Sequence, residues 1–179
     1  TVQRAEIEYR TKSALPFDIP FLTDADWLFS ANYTYTQSEV NAGPGSTVIS
    51  PIDFREVPAS FFELDGTQLQ GTPEHIANLQ FGYETLDSQL TLIAGWLDER
   101  ILRRGQGSVE PVIERPGFNV DLVYKRMFEF GGADMTLAFT GRNLTGEVHD
   151  EFQIYQRGQN NVDRYPRGQV FSVSLTADY

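Results

Sequence analysis

Apolar and polar side chains alternate along much of this chain, and this period of two restricts the fold more than any other feature. The last twelve residues, GQVFSVSLTADY, have apolar side chains at the odd positions Phe171, Val173, Leu175, Ala177 and Tyr179. The residues between them are Ser172, Ser174, Thr176 and Asp178. Successive side chains of a strand point to opposite faces. The stretch therefore predicts a strand with one apolar face and one polar face.

Six further stretches have the same period. They cover residues 4–10, 27–36, 77–84, 90–97, 118–125 and 135–140. The stretch 90–97, LTLIAGWL, is apolar on both faces and is the least regular. No segment has the period of a long helix, so the sequence predicts an all-β chain.

Length and composition limit the alternatives. We expect one domain spanning residues 1–179. The chain has no cysteine, which excludes disulfides and thiolate metal sites. Its formal net charge of −11 argues against nucleic-acid binding, because an acidic surface repels phosphate. No apolar run approaches the roughly 18 residues of a membrane-spanning helix.

The connections between the predicted strands differ in length from one end of the sheet to the other. Long connections, rich in proline, glycine or polar residues, cover residues 40–74, 101–116 and 145–167. At the other end the links are short, TLDS and EFGGAD, or intermediate, residues 12–25. Long outer loops with short periplasmic turns are typical of outer-membrane β-barrels. We therefore expect antiparallel, up-and-down transmembrane strands.

Amphipathic aromatic residues recur at the strand ends. Tyr9, Tyr83, Tyr124 and Tyr179 end strands that run toward the short turns, and Trp27 begins a strand there. Such rings favour a membrane interface, because the ring is apolar while its OH or NH stays hydrated. We predict an interface level formed by these five residues. A second level is predicted from Tyr33, Tyr35, Trp96 and Phe118. The alternative is that the aromatics pack the core of a soluble β-sandwich.

Several segments, taken in order, resemble a known family. They are NYTYTQSE (32–39), GTPEH (71–75), RNL (142–144) and the closing RGQVFSVSLTADY (167–179). This ordered set resembles the C-terminal barrel region of TonB-dependent outer-membrane receptors, over essentially the whole chain. The chain departs from the family at Thr145–Gly146, where Phe-Asp is common, at Gln169, where Arg is common, and at Tyr179, where Phe is more usual.

The resemblance implies a function in transport. Receptors of this family are 22-stranded barrels that enclose an N-terminal plug. They take up scarce nutrients such as ferric siderophores, cobalamin or glycans. We accordingly expect this chain to supply the last seven strands of such a receptor in the outer membrane of a Gram-negative bacterium, without the plug.

The expected partners follow from the same resemblance. They are the rest of the receptor, TonB through the missing N-terminal part, outer-membrane lipids, and the assembly machinery, which would read the C-terminal strand. A separated fragment is expected to self-associate through its open strand edges. The alternative function is a soluble β-sandwich or small-barrel binding module.

Chemical motifs are few. Nucleophile-elbow, Walker A, zinc-protease and CxxC motifs do not occur, so we expect no enzyme activity and no cofactor. His75 and His149, the two histidines, lie in different parts of the chain, and no metal site is predicted from them. Arg100, Arg103 and Arg104 form a local positive patch that is predicted to attract an anionic substrate. The alternative is that these arginines pair with nearby carboxylates or bind lipopolysaccharide phosphates.

Overall fold

A computed structural model describes residues 1–14, 25–50, 53–62 and 64–178. The prediction of an all-β chain is confirmed, with one short 3-10 helix at Ala59–Phe62. The main sheet consists of β1 (Val2–Ala14), β2 (Asp26–Ser38), β5 (His75–Glu84), β6 (Ser88–Leu97), β9 (Gly117–Phe130), β10 (Ala133–Arg142) and β13 (Val170–Asp178). No helix in these described parts has the length and apolarity needed to cross a bilayer.

The seven strands of the main sheet are all antiparallel and follow one another in chain order. Each of the seven alternating stretches corresponds to one of these strands. β1 and β13 form the two edges, and among the described residues neither edge pairs with a further strand. The sheet is therefore an open, up-and-down meander.

Short turns join the strands at one end of the main sheet. Gly131 and Gly132 alone connect β9 to β10, with φ angles of 63° and 81°. Positive φ at both central residues is what a two-residue hairpin turn requires. Between β5 and β6, the Ser88 amide donates to Thr85 Oγ1 at 2.9 Å and the Thr85 amide donates to the Ser88 carbonyl at 2.8 Å. Residues 15–24, which link β1 to β2, lie outside the described residues.

At the opposite end, the long connections contain strands that the sequence did not predict. A four-stranded sheet, here called the loop sheet, has the order β12-β11-β8-β7. Its strands are β7 (Arg100–Arg103), β8 (Val112–Glu114), β11 (Val148–Tyr155) and β12 (Gly158–Pro166). The connection after β2 forms a small hairpin of β3 (Thr47–Ile49) and β4 (Glu56–Pro58).

Two main-sheet strands extend beyond their predicted ends toward the short turns. β1 continues past Tyr9 to Ala14, where Lys12 Nζ lies 3.0 Å from Asp26 Oδ2 and 3.7 Å from Glu84 Oε2. β9 continues past Lys125 to Phe130. The Lys12–Asp26 pair brings unlike charges together on neighbouring strands, which favours the continued pairing of β1 with β2.

The RNL segment fixes the rim where β10 leaves the main sheet. Asn143 has a φ of 54°, a left-handed conformation that asparagine tolerates better than most residues. Its Nδ2 donates to the carbonyls of Glu147 at 3.1 Å and Gly168 at 2.8 Å, and its Oδ1 accepts from the Glu147 amide at 2.9 Å. The asparagine thereby joins the start of the loop to the start of β13.

Two mid-strand glycines on the polar face of the sheet give a matched test of strand packing. A Cβ at Gly82 would lie 2.2 Å from the Leu90 carbonyl oxygen, whereas a Cβ at Gly95 would meet only Asn78 Oδ1 at 3.5 Å. We expect Gly82→Ala to lower the free energy of unfolding by about 1–3 kcal/mol through overpacking. Gly95→Ala should leave it nearly unchanged. Denaturant unfolding in detergent, followed by circular dichroism, measures both; equal effects would contradict the close approach of β5 to β6.

Candidate functional site

Strand pairing brings the apolar positions of all seven main strands onto one face, here called the apolar face. Directly paired residues of neighbouring strands point to the same side of a sheet. One continuous row across six strands reads Trp27, Tyr83, Leu90, Tyr124, Phe139 and Val173. Arg126 is a charged exception on this face, and it pairs with Asp87 at the turn. The face is thus apolar across its full width.

Aromatic residues occupy two rows of the apolar face. The first row contains Trp27, Tyr83 and Tyr124. The second row contains Tyr33, Trp96 and Phe118. Ala77 lies between Tyr33 and Trp96 in this row. The rows are six residues apart on each strand, which is about 20 Å along the strand.

Pairing does not bring every predicted aromatic to these rows. Ser13 of β1 pairs with Trp27, so Tyr9 lies four residues away from the first row, opposite Ala31. Tyr9 is displaced because β1 continues toward the short turns instead of ending beside it. Tyr35 lies two residues beyond the second row, opposite His75. Tyr179 lies outside the described residues.

Within the described part of the chain, no layer covers the apolar face. The large apolar residues on it are exposed or half-exposed, and the most exposed include Ile7 at 73%, Val173 at 68% and Leu175 at 59%. The extensive contacts between strands run between hydrogen-bonded neighbours rather than between two packed layers. Phe152, the one large side chain that is fully buried among the described residues, belongs to the loop sheet. The main sheet therefore has no dry core of its own.

The opposite face of the main sheet is polar. On β1, Arg4 pairs with Glu6 at 2.8 Å, and Arg10 pairs with Glu8. Asn32 of β2 donates to Glu6 at 2.7 Å. The apolar residues that interrupt this face include Leu28, Ile93 and Val123. Water is the natural solvent for these charges, because such exposed ion pairs are stable only while hydrated.

The loop sheet has a small core of its own, surrounded by ion pairs. The Arg115 guanidinium lies over the Phe152 ring, 4.6 Å from its centroid. The same guanidinium pairs with Glu99 at 2.6 Å and with buried Asp150 at 3.2 Å. A cation over an aromatic face is attracted by the ring quadrupole, and its charge here also balances a buried carboxylate.

The predicted arginine patch lies at β7, and each of its members has a protein partner. Arg100 pairs with Glu114 at 2.6 Å, and Arg103 pairs with Glu151 at 2.9 Å. Arg104 donates to Thr67 Oγ1 and to the Gln68 carbonyl, and partial burial lowers the pKa of its guanidinium. The ion pairs of Arg100 and Arg103 join strands of the loop sheet, and Arg104 connects it to the segment between β2 and β5. A role of the patch in ligand binding stays a prediction.

The two histidines occupy unrelated environments. His75 lies on the apolar face, where its Nδ1 shares a hydrogen bond of 2.7 Å with the Tyr33 hydroxyl and its ring stacks with Trp96. His149 lies on β11, with Nε2 2.8 Å from Glu151 Oε1. Sequence reasoning missed the carboxylates around His149. Their grouping depends on the pairing of β11 with β12, for which the alternating pattern gave no signal.

Comparisons with protein-family models, with curated proteins and with solved structures gave no match. The functional interpretation therefore depends on the geometry of this chain and on the sequence resemblance.

Arg115 allows a direct test of how the loop sheet is stabilised. We expect Arg115→Ala to lower the local stability of β8 and β11 by about 1–3 kcal/mol, because it leaves buried Asp150 with a weaker partner and uncovers Phe152. Hydrogen exchange of the amides in these two strands measures the loss. Arg126→Ala is the control, because its pair with Asp87 is exposed and should contribute at most about 1 kcal/mol. Unchanged exchange in Arg115→Ala would contradict this role.

Proposed function

We propose that this chain is a segment of the wall of an outer-membrane β-barrel receptor of the TonB-dependent type. In this proposal the seven-stranded sheet supplies seven strands of a 22-stranded barrel, and the whole receptor takes up a scarce nutrient such as a ferric siderophore. The chain has a transport role and no enzymatic one. Its location is the outer membrane of a Gram-negative bacterium.

The uncovered apolar face is the observation that carries the proposal. A soluble protein rarely exposes a continuous apolar patch larger than a few hundred Å². Hydrocarbon removes the cost of this exposure, because lipid chains are as apolar as the side chains that they touch. The main strands are 9 to 14 residues long, and a tilted transmembrane strand needs about 9–11.

The two aromatic rows and the unequal connections support the same proposal. Rings of Tyr, Trp and Phe border the apolar band of outer-membrane barrels at both interfaces. Turns of two or three residues at one end, with structured loops at the other, match the periplasmic and outer ends of such a barrel. The polar face would line the water-filled interior, where Glu6, Glu8 and Arg10 stay hydrated.

The open edges determine what partners the proposal requires. In hydrocarbon, unpaired backbone amides and carbonyls at β1 and β13 each cost several kcal/mol. Both edges must therefore pair with strands of the remaining receptor, or with a second copy when the chain is separated from it. The remaining proposed partners are the plug, TonB acting through the N-terminal part, outer-membrane lipids and the assembly machinery.

A soluble β-sandwich is the weaker candidate. A sandwich buries the inner faces of two sheets against each other, about 10 Å apart. The loop sheet extends the long connections, and among the described residues no second sheet packs on the apolar face. The nutrient class and the TonB dependence rest on the ordered segments NYTYTQSE, GTPEH and RNL.

Neighbouring residues of β5 test the proposed lipid contact. Leu79 lies on the apolar face and Gln80 on the polar face, and both side chains are exposed. Arginine on a lipid-facing strand position costs about 2–4 kcal/mol near the midplane of the bilayer. We expect Leu79→Arg to lower the fraction of the chain that inserts into liposomes, whereas Gln80→Arg inserts like the unchanged chain.

Flotation with liposomes, followed by protease protection, measures insertion in this experiment. The matched pair separates an effect of added charge from an effect of the face. Equal insertion by the two variants, or a chain that stays monomeric and folded in buffer without detergent, would contradict the membrane role.

A further inference from the structure

Three potential metal ligands converge on one side of the loop sheet. They are His149 and Glu151 of β11 and Asp163 of β12, and their ligand atoms all lie within 4.8 Å of one another. His149 and Glu151 are two residues apart on one strand, so both point to the same face. Asp163 lies directly opposite Glu151 in the pairing of the two strands. The cluster is thus held by the backbone of a single hairpin.

A β-bulge shapes this hairpin at the cluster. Glu151 pairs with Asp163 but Phe152 pairs with Asn161, so Val162 is an extra residue on β12. Bulges redirect neighbouring side chains and are common beside functional sites. Phe152, the residue after Glu151, points to the opposite face of the hairpin, where it is buried. The Asp163 side chain is exposed.

The surroundings hold two of the ligands in place. The two oxygens of Glu151 have separate contacts: Oε1 lies 2.8 Å from His149 Nε2, and Oε2 accepts from Arg103 at 2.9 Å. The His149 ring stacks on Tyr165, with ring centroids 4.7 Å apart. The contacts of Arg103 and Tyr165 are outer contacts of the kind that orient metal ligands and increase affinity. The His149–Glu151 contact joins two of the proposed ligands and would open when an ion binds between them.

An open cleft gives access to the cluster. It is lined by Leu102, Arg103, Glu151, Val162 and Asp163. Three protein ligands beside an open position leave room for water or a further ligand on the ion.

We propose that His149, Glu151 and Asp163 bind a divalent first-row transition cation, with Zn²⁺ as the reference ion. One imidazole nitrogen with two carboxylate oxygens is a donor set that suits Zn²⁺ better than Ca²⁺ or Mg²⁺, which prefer oxygen alone. Ligand atoms on a tetrahedral Zn²⁺ lie roughly 3.3 Å apart, given bonds of about 2.0–2.1 Å. Rotation of the exposed Asp163 side chain closes the remaining gap.

The site's charge also favours a cation. Two carboxylates share one guanidinium neighbour, that of Arg103, so carboxylates outnumber guanidinium groups at the site. The chain as a whole carries a formal charge of −11, which raises the local concentration of cations. This site belongs to the loop sheet and does not require that the main sheet contacts lipid.

Histidine-selective NMR of the full chain in detergent tests the proposal, because the chain has only two histidines. On titration with Zn²⁺, the imidazole signals of His149 should shift and those of His75 should not. Competition with a chromophoric chelator should give one Zn²⁺ per chain. We expect His149→Gln to weaken binding at least about tenfold, and His75→Gln to leave it unchanged.

Asp163→Asn is a second variant that distinguishes the loss of a ligand from a loss of folding. Its side chain is exposed, so the variant should keep the hydrogen-exchange protection of β11 while also weakening Zn²⁺ binding. Mg²⁺ at the same concentration should not displace Zn²⁺. Absence of Zn²⁺ binding, a response of His75 equal to that of His149, or full affinity in both His149→Gln and Asp163→Asn would overturn the proposal.

Discussion

The backbone hydrogen-bond ladder between neighbouring strands is the interaction on which the main sheet depends. A globular β-protein adds a packed core to this ladder, but here the described residues form no second layer over the apolar face. The ladder fixes which side chains share a face, and the alternation then separates apolar from charged residues across the whole sheet. Contact of the two faces with two solvents of different polarity, as proposed above, would stabilise such a sheet.

The loop sheet is stabilised in a different way. Its short strands enclose Phe152 and balance buried carboxylates with arginines, of which Arg115 contacts both the ring and Asp150. The main sheet has no packed core, whereas the loop region is compact, so the two parts are suited to different roles. In the proposed receptor, the wall contacts lipid while the loop region faces the exterior and presents polar groups, including the proposed cation site.

The main sheet could be predicted because the signals for its strands and turns lie within short stretches of sequence. Period-two alternation in each stretch indicates a strand, and short links such as EFGGAD indicate its antiparallel neighbour. β7 and β8 of the loop sheet escaped prediction because they have only four and three residues, too few to establish a period. The level of Tyr9 was wrong because β1 continues beyond the alternating stretch to Ala14, where Lys12 forms an ion pair with Asp26. The grouping of His149 with Asp163 depends on the pairing of β11 with β12, which the alternating pattern does not predict.

In the proposed receptor, the two faces of the main sheet contact two different solvents. Because the chain has no cysteine, single cysteines at residues 171–177 can each carry one spin label on β13. In lipid bilayers, collision rates with oxygen should peak at Phe171, Val173 and Leu175. Collision rates with a water-soluble nickel chelate should peak at Ser172, Ser174 and Thr176. Rates that fail to alternate, or that report water on both faces, would contradict the account.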